Sequence, residues 1–179
     1  RDFLKLGTPR LFFAISAGNI DSMVSHYTAR KRLRSTDAYS PGGRRRRPDR
    51  PSLVYADRLH SLFPETPLVI GGIEASLRRF AHYDYWSDRV RQSLLADAPA
   101  DLLVFGMGEL PLFMIADRLS SGEDIHEITT IPGTVVKTGI HSLPDDSFHD
   151  PVILPSFSEV SSDKRAYARA FGMIHAEQD

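Results

Sequence analysis

The chain has 179 residues, 41% of them hydrophobic and 25% charged, with a formal net charge of −1. That is length enough for one domain with a proper core, a composition ordinary for a globular protein, and a charge balance that points to no polyanionic partner. The absence of cysteine excludes disulfides, cysteine zinc sites and any iron–sulfur cluster held by these residues' own thiolates, and it suits a cytoplasmic protein. No apolar run is long enough to span a bilayer, and the opening RDFLK is no signal peptide.

Residues 1–6 read as the tail of a helix closed by Gly7 and Pro9, and the far end stops in a helical pattern, so the chain is expected to be a fragment of a longer one. Residues 10–17 (RLFFAISA) form a nearly continuous apolar run, as in a strand buried on both faces. Gly18-Asn19 ends it, and Asp21 or Ser22 caps a helix carrying Met23, Val24 and Tyr27. Residues 28–50 are polar, basic and rich in breakers, which predicts a long loop, mobile around 41–48. Helical spacing returns over 53–63 and is closed by Pro64 and Pro67. Residues 68–70 are the second strand, 73–80 a short helical or irregular piece, and 88–96 a helix with Val90, Leu94 and Leu95 on one face. Residues 101–105 (DLLVF) are the third strand, 110–119 a helix, 125–128 a short turn or helix, and 134–137 the fourth strand. Residues 138–151 read as loop, 152–154 as a short strand, and 163–176 as the last helix, with Ser161 or Ser162 near its cap. Strand and helix alternating in this rhythm imply an α/β fold: three layers, a mainly parallel sheet and helices on both faces.

In such a fold, ligands meet the carboxyl ends of the strands. Three loops are expected there: 18–21, 71–76 and 106–109. The richest stretch is 69–88, VIGGIEASLRRFAHYDYWSD, an apolar run broken by two glycines and followed by polar and aromatic groups. Gly106-Met107-Gly108 lacks the third glycine of a dinucleotide fingerprint. It serves either as a tight turn or as an amide cradle with Glu109 pointing into the crevice. Glu74, His82, Asp84 and Asp88 have no second histidine at ligand spacing, so no metal is assigned. Salt bridges with Arg78, Arg79, Arg89 and Arg91 are their expected role. Tyr83, Tyr85 and Trp86 are read equally as a stacking surface or as a core anchor. Arg44, Arg45, Arg46 and Arg47, with Lys31, Arg32, Arg34 and Arg50, make a local positive patch. A solvated loop is preferred there over a nucleic-acid site, since aromatic interleaving is missing. Residues 27–29 and 37–43 are expected to fold over the crevice as a lid or to lie against another part of the parent chain. No serine nucleophile elbow, HExxH or paired-carboxylate design is present, so no catalytic residue is assigned.

AGNIDSM (17–23), YTARKRLRSTDAYSPGG (27–43), RPDR (47–50), GGIEASLRRFAHYDYWSD (71–88), ADLLVFGMGE (100–109) and IPGTVV (131–136) together resemble the amino-terminal domain of the YgiQ-type radical SAM proteins, the UPF0313 family. The resemblance covers most of the chain in the expected order. It implies a radical SAM barrel following this domain, in which a CxxxCxxC loop holds a [4Fe-4S] cluster that cleaves S-adenosylmethionine. It also implies a strand–helix unit upstream of Arg1. The layout is similar to cobalamin-binding domains of other radical SAM enzymes, which suggests a flavodoxin-like fold. The histidine motif that ligates cobalt is absent, because Asp57 and His60 stand three apart with no glycine following. The domains expected are therefore residues 1–160, an accessory α/β domain, and residues 161–179, a helix leading toward the barrel. The crevice set is Asn19, Glu74, Arg78, His82, Tyr83, Asp84, Tyr85, Trp86 and Glu109, with positioning and closure as its role. The expected partners are that barrel and an unknown substrate, with no membrane. A nucleic-acid module and a cobalamin carrier are the alternatives.

Overall fold

In a computed structural model, which describes residues 2–37, 39–139 and 151–177, the elements in chain order are β1 (Phe13–Ser16), α1 (Ser22–His26), α2 (Pro51–Leu62), β2 (Leu68–Gly71), α3 (Gly72–Leu77), β3 (His82–Asp84), β4 (Arg89–Arg91), α4 (Leu94–Asp97), β5 (Leu102–Val104), α5 (Glu109–Ser120), β6 (Thr134–Val136), α6 (Phe157–Ser162) and α7 (Lys164–Ala176). Single 3-10 turns lie at Phe3–Leu6 and Pro41–Gly43.

The main sheet has the order β1-β2-β5-β6. The first three strands run parallel, with Phe13 against Leu68 and Val69 against Leu102. β6 runs antiparallel to β5, Thr134 facing Val104. The reason lies in residues 121–133. Ile125, Ile128 and Ile131 are buried on the same side of the sheet as α5. This apolar return carries the chain back to the carboxyl edge, where the Phe105 N–H donates to the Gly133 carbonyl (3.0 Å) and β6 must enter head down.

Alternation along the strands divides the core in two, as a period of two requires. Phe13, Ile15, Leu68, Ile70 and Leu103 meet Ala56 and Leu59 of α2, Ala75 of α3, and Leu94 and Leu95 of α4. Val69, Leu102 and Val104 meet Ile115 and Leu112 of α5. Helices therefore lie on both faces of a mainly parallel sheet, and the fold is a three-layer α/β sandwich. The second face is covered unevenly. Ala14 and Ser16 of β1 are exposed there, and no strand pairs with the outer edge of β1 among the described residues.

Three expectations are corrected. Residues 88–96 do not form one helix. His82–Asp84 and Arg89–Arg91 pair as an antiparallel hairpin, and only Leu94–Asp97 is helical, capped by the Ser93 hydroxyl (3.2 Å to the Leu95 N–H). Alternating arginines around Val90 suit a hairpin arm with one side wet, and Asp88 makes the turn with φ 50°. Residues 152–154 form no strand. Ser161 and Ser162 do not cap the last helix but close α6, whose capping box is Ser156 and Glu159; Asp163 caps α7 instead. The boundary expected after residue 160 falls inside α6. Most of the loop expected over 138–151 lies outside the described residues.

One buried polar group ties two helices of the first layer together. The Glu74 carboxylate, 1% exposed, accepts the Ser52 N–H (3.2 Å) and hydroxyl (2.8 Å), joining the start of α2 to α3. Burial pushes its pKa above the ordinary 4.5, against the pull of the Ser52 bonds and Arg78. A carboxyl group with a raised folded pKa binds its proton more tightly in the folded state, so stability falls as pH rises through the interval between the ordinary and the raised value. Glu74→Gln keeps the acceptor and removes this term. The difference in stability between wild type and the variant should shift in the variant's favour from pH 4 to pH 8. Glu74→Ala should cost about 1–3 kcal/mol by orphaning two donors. Urea unfolding across pH, followed by the fluorescence of Trp86, checks both.

Candidate functional site

Parallel strands β1, β2 and β5 bring their carboxyl ends to one edge, and the chain leaves them toward different faces. After β2 it turns into α3 on the first face; after β5 it turns into α5 on the second. Connections that part in this way leave a crevice between the strand ends. A groove of about 300 Å³ lies there, lined by Ser16, Gly71, Gly72, Gly106, Gly108 and Leu112 among others, with Glu109 at its lip.

The crevice exists because the turns are made of glycine. Gly72 has φ 81°, and a Cβ built on it would stand 2.5 Å from the Ser16 Oγ. Glycine takes that conformation without strain and leaves the Ser16 hydroxyl room to stand where it does. The same Ser16 Oγ accepts the Gly18 N–H (3.1 Å). Across the groove the Ser76 Oγ accepts the Gly106 N–H (3.2 Å) and donates to the Gly72 carbonyl (2.9 Å). Two serines thus stitch the three glycine turns together. Asp21 caps α1 through the Met23 and Val24 N–H groups and takes an ion pair from Arg78, so the end of β1 is also tied to the end of α3.

The rest of the expected crevice set forms a second unit. The β3–β4 hairpin is clasped by residues 26–50. Arg50 pairs with Asp84 (2.5 Å), which also accepts the Ser87 hydroxyl (2.6 Å). Trp86 lies against Tyr27, ring centroids 4.4 Å apart, and the Lys31 ammonium stands over Tyr85 and Trp86. The Tyr85 hydroxyl donates to the Ala29 carbonyl (2.7 Å), and Asp49 receives the Tyr27 hydroxyl (2.9 Å) while facing His26 Nδ1 (2.8 Å). Burial raises the pKa of Asp84, but Ser87, Arg50 and nearby amides outweigh it and hold the carboxyl below the ordinary range. Desolvation lowers that of His82. On the hairpin's other side the Tyr83 N–H donates to the Tyr167 hydroxyl of α7 (3.0 Å).

The sequence-derived set is therefore split. Glu109 and the glycines line the groove, and Asn19 is an exposed residue of the turn after β1. Arg78 and Glu74 brace the floor from below. His82, Tyr83, Asp84, Tyr85 and Trp86 belong to the clasped hairpin and do not line the groove. The expected ion pairs are redistributed: Asp84 takes Arg50, Arg78 takes Asp21, Arg91 takes Asp97, and Glu74 is held by Ser52. Ser16, Ser76, Asp49 and Lys31 form a framework that the sequence pattern does not announce. Their signals were slight: a serine ending an apolar strand, and a serine one helical turn past Gly72. The basic run is divided as well. Arg44, Arg45 and Arg46 are exposed, whereas Arg47 reaches inward to the carbonyls of Ala17 and Ile20 and braces the turn after β1. Residues 27–29 lie on the domain's own hairpin. His60 stands near the end of α2, which leads to the amino end of β2, so it does not reach the crevice.

The molecule is thus an α/β domain with a glycine-built crevice and a braced wall beside it. The sequence pattern described as Radical SAM N-terminal matches residues 1–179, and the chain belongs to that family. It is 54% identical to a UPF0313 protein of Methanocella arvoryzae and 53% identical to one of Geobacter sulfurreducens, in each case over 99% of this chain and 29% of the relative. A UPF0313 protein of Clostridium perfringens is 50% identical over 99% of this chain and 27% of its own length. The chain thus spans less than a third of these relatives. No solved structure matches it. The family implies a [4Fe-4S] cluster and S-adenosylmethionine in the parent protein. These 179 residues contain no cysteine to hold such a cluster, and no group of three histidine or acidic residues suited to a metal occurs among the described residues. Among those residues, no helix is long and apolar enough to cross a membrane.

If the fit of Gly72 on Ser16 builds the crevice, Gly72→Ala should cost about 1–3 kcal/mol, combining overpacking with a disfavoured φ. Ser16→Gly in the same chain should restore the overpacking part only. Thermal denaturation of the two single variants and the double variant measures the coupling, and strictly additive losses would contradict the contact.

Proposed function

We propose that this chain is the accessory amino-terminal domain of a radical SAM enzyme in the cytoplasm, and that its strand-end rim is the wall it offers to the chemistry housed in the remainder of the protein. One observation carries the reading. Met107, Leu110 and Phe113, at successive three-residue spacing at the head of α5, are 82%, 66% and 68% exposed, and Leu77 at the end of α3 is 60% exposed. Large apolar side chains on a surface rim mark contact with another protein surface. Met107 lies between Gly106 and Gly108, and Leu110 between Glu109 and Leu112, all four of which line the crevice, so a second domain seated on these side chains would meet it.

Closure is also what radical chemistry requires. A reactive intermediate survives only where water and stray hydrogen donors are kept out. On this reading no residue here makes or breaks a bond. Glu109 and the glycine amides contact what enters, while Arg78 and Glu74 hold the floor. The hairpin with His82, Tyr83, Asp84, Tyr85 and Trp86 is a rigid flank, and Asn19 sits on the facing turn. The cluster and S-adenosylmethionine belong to the remainder of the chain, because no thiolate here suits them.

The open edge of β1 fits a further segment. A strand laid along it would extend the parallel part of the sheet.

In the full-length protein, Phe113→Glu should speed proteolysis at the junction after α7 and reduce S-adenosylmethionine cleavage severalfold after anaerobic reconstitution with iron and sulfide. The same substitution in the 179-residue chain should change stability by no more than about 0.5 kcal/mol, as for other surface positions. A full-length variant with wild-type proteolysis and turnover would contradict the reading.

A further inference from the structure

We infer that the long basic loop builds a pocket for a small phosphoryl-type oxyanion, separate from the strand-end crevice. Between α1 and residues 33–49 lies a cavity of about 170 Å³, lined by Arg34, Arg45, Arg47, His26, Asp37 and Asp49 together with smaller neighbours. Its size is below that of sites for drug-sized ligands, so it suits a single oxyanion or the charged end of a larger molecule.

The charges in it are unevenly matched. Both carboxylates are already engaged. Asp37 accepts the N–H groups of Tyr39 (3.0 Å), Ser40 (3.1 Å) and Arg45 (2.7 Å). Hydrogen bonding from Ser40, Tyr39 and Arg45 lowers its pKa to about 2. Asp49 holds His26 and Tyr27. The guanidinium groups, by contrast, donate to backbone carbonyls, and that of Arg47 also stands over the Tyr39 ring. Arg34 Nε donates to Val24 (3.0 Å), Arg45 to Arg34 (2.7 Å), and Arg47 to Ala17 and Ile20. None of the three has a carboxylate partner within ion-pair distance among the described residues.

One further feature points the same way. Arg45 is held at φ 48°, a left-handed conformation uncommon for a residue with a side chain, while its N–H and guanidinium are both tied down. His26 lines the same cavity with its Nδ1 on Asp49, while its unpartnered Nε2 is closed off from it. Carbonyls that fix three guanidinium groups in place leave their remaining N–H donors free for charge-assisted bonds to phosphoryl oxygens. A nucleic-acid strand is the poorer fit, since the space is of one-anion size and the aromatic rings beside it are already engaged, Tyr27 by Trp86 and Asp49 and Tyr39 by Arg47. The inference rests on this geometry alone and does not depend on what the rest of the parent protein does.

The test is a calorimetric titration of the full-length protein with inorganic phosphate and, separately, with a single-stranded oligonucleotide. Arg34→Gln and Arg45→Gln should each weaken phosphate binding about tenfold or more, the loss of one charge-assisted bond. Arg44→Gln and Arg46→Gln remove the same charge nearby but outside the cavity, and should leave it within about twofold. Should a cavity variant fold poorly, amide exchange of the wild type decides: phosphate should slow exchange at residues 25–27 and 34–47. No phosphate binding, an equal loss in all four variants, or binding of the oligonucleotide alone would overturn the proposal.

Discussion

The carboxyl edge of this domain depends on how closely Gly72 backs onto Ser16. β1 and β2 are in parallel register, with Ser16 opposite Gly71, so the residue that starts α3 lies beside the last side chain of the neighbouring strand. A Cβ at that point would collide with the Ser16 hydroxyl where it stands and would hold a disfavoured φ. With glycine there, α3 begins at once, Ser76 comes within reach of the Gly106 amide, and Arg78 reaches Asp21. The crevice and its floor follow from that single close approach.

Around this edge the domain spends its polar residues on bracing. The hairpin is held by Arg50, Lys31 and Tyr27 from the long loop and by Tyr167 from α7. The loop is held in turn by Asp37 and Arg47. Parts distant in sequence are thus fixed relative to one another, while the apolar side chains of α5 and α3 are left facing outward. A rigid frame with an apolar rim suits a surface that meets another domain without rearranging. It also explains why charged groups of the richest sequence segment, Glu74, Arg78 and Asp84, are taken up by Ser52, Asp21 and Arg50 from other parts of the chain.

Much of the fold was legible because its signals are local. Short apolar runs ending in glycine marked β1, β2 and β5, and helical spacing marked α2, α5 and α7. Asp21 was recognisable as a cap. What could not be read depends on partners far along the chain. Residues 88–91 carry the spacing of a helix, yet the hairpin forms because His82–Asp84 offers a pairing edge and Asp88 can make the turn. β6 enters antiparallel because an apolar return over residues 125–131 brings the chain back across the sheet, a matter of packing rather than of β6's own residues. The candidate site was half legible. Glycines marked the turns at the strand ends, but nothing in the spacing of His82–Trp86 told that these residues would belong to a hairpin claimed by Arg50, Lys31 and Tyr27.

The central claim is that the rim formed by α3 and the head of α5 is covered in the complete protein. Peroxide footprinting reads it directly at Met107, which is 82% exposed here. The account predicts that Met107 is oxidised rapidly in the 179-residue chain and severalfold more slowly in the full-length protein, with Met173 in α7 as a same-chain reference. Equal oxidation rates for Met107 in the two proteins would show the rim bare and contradict the account.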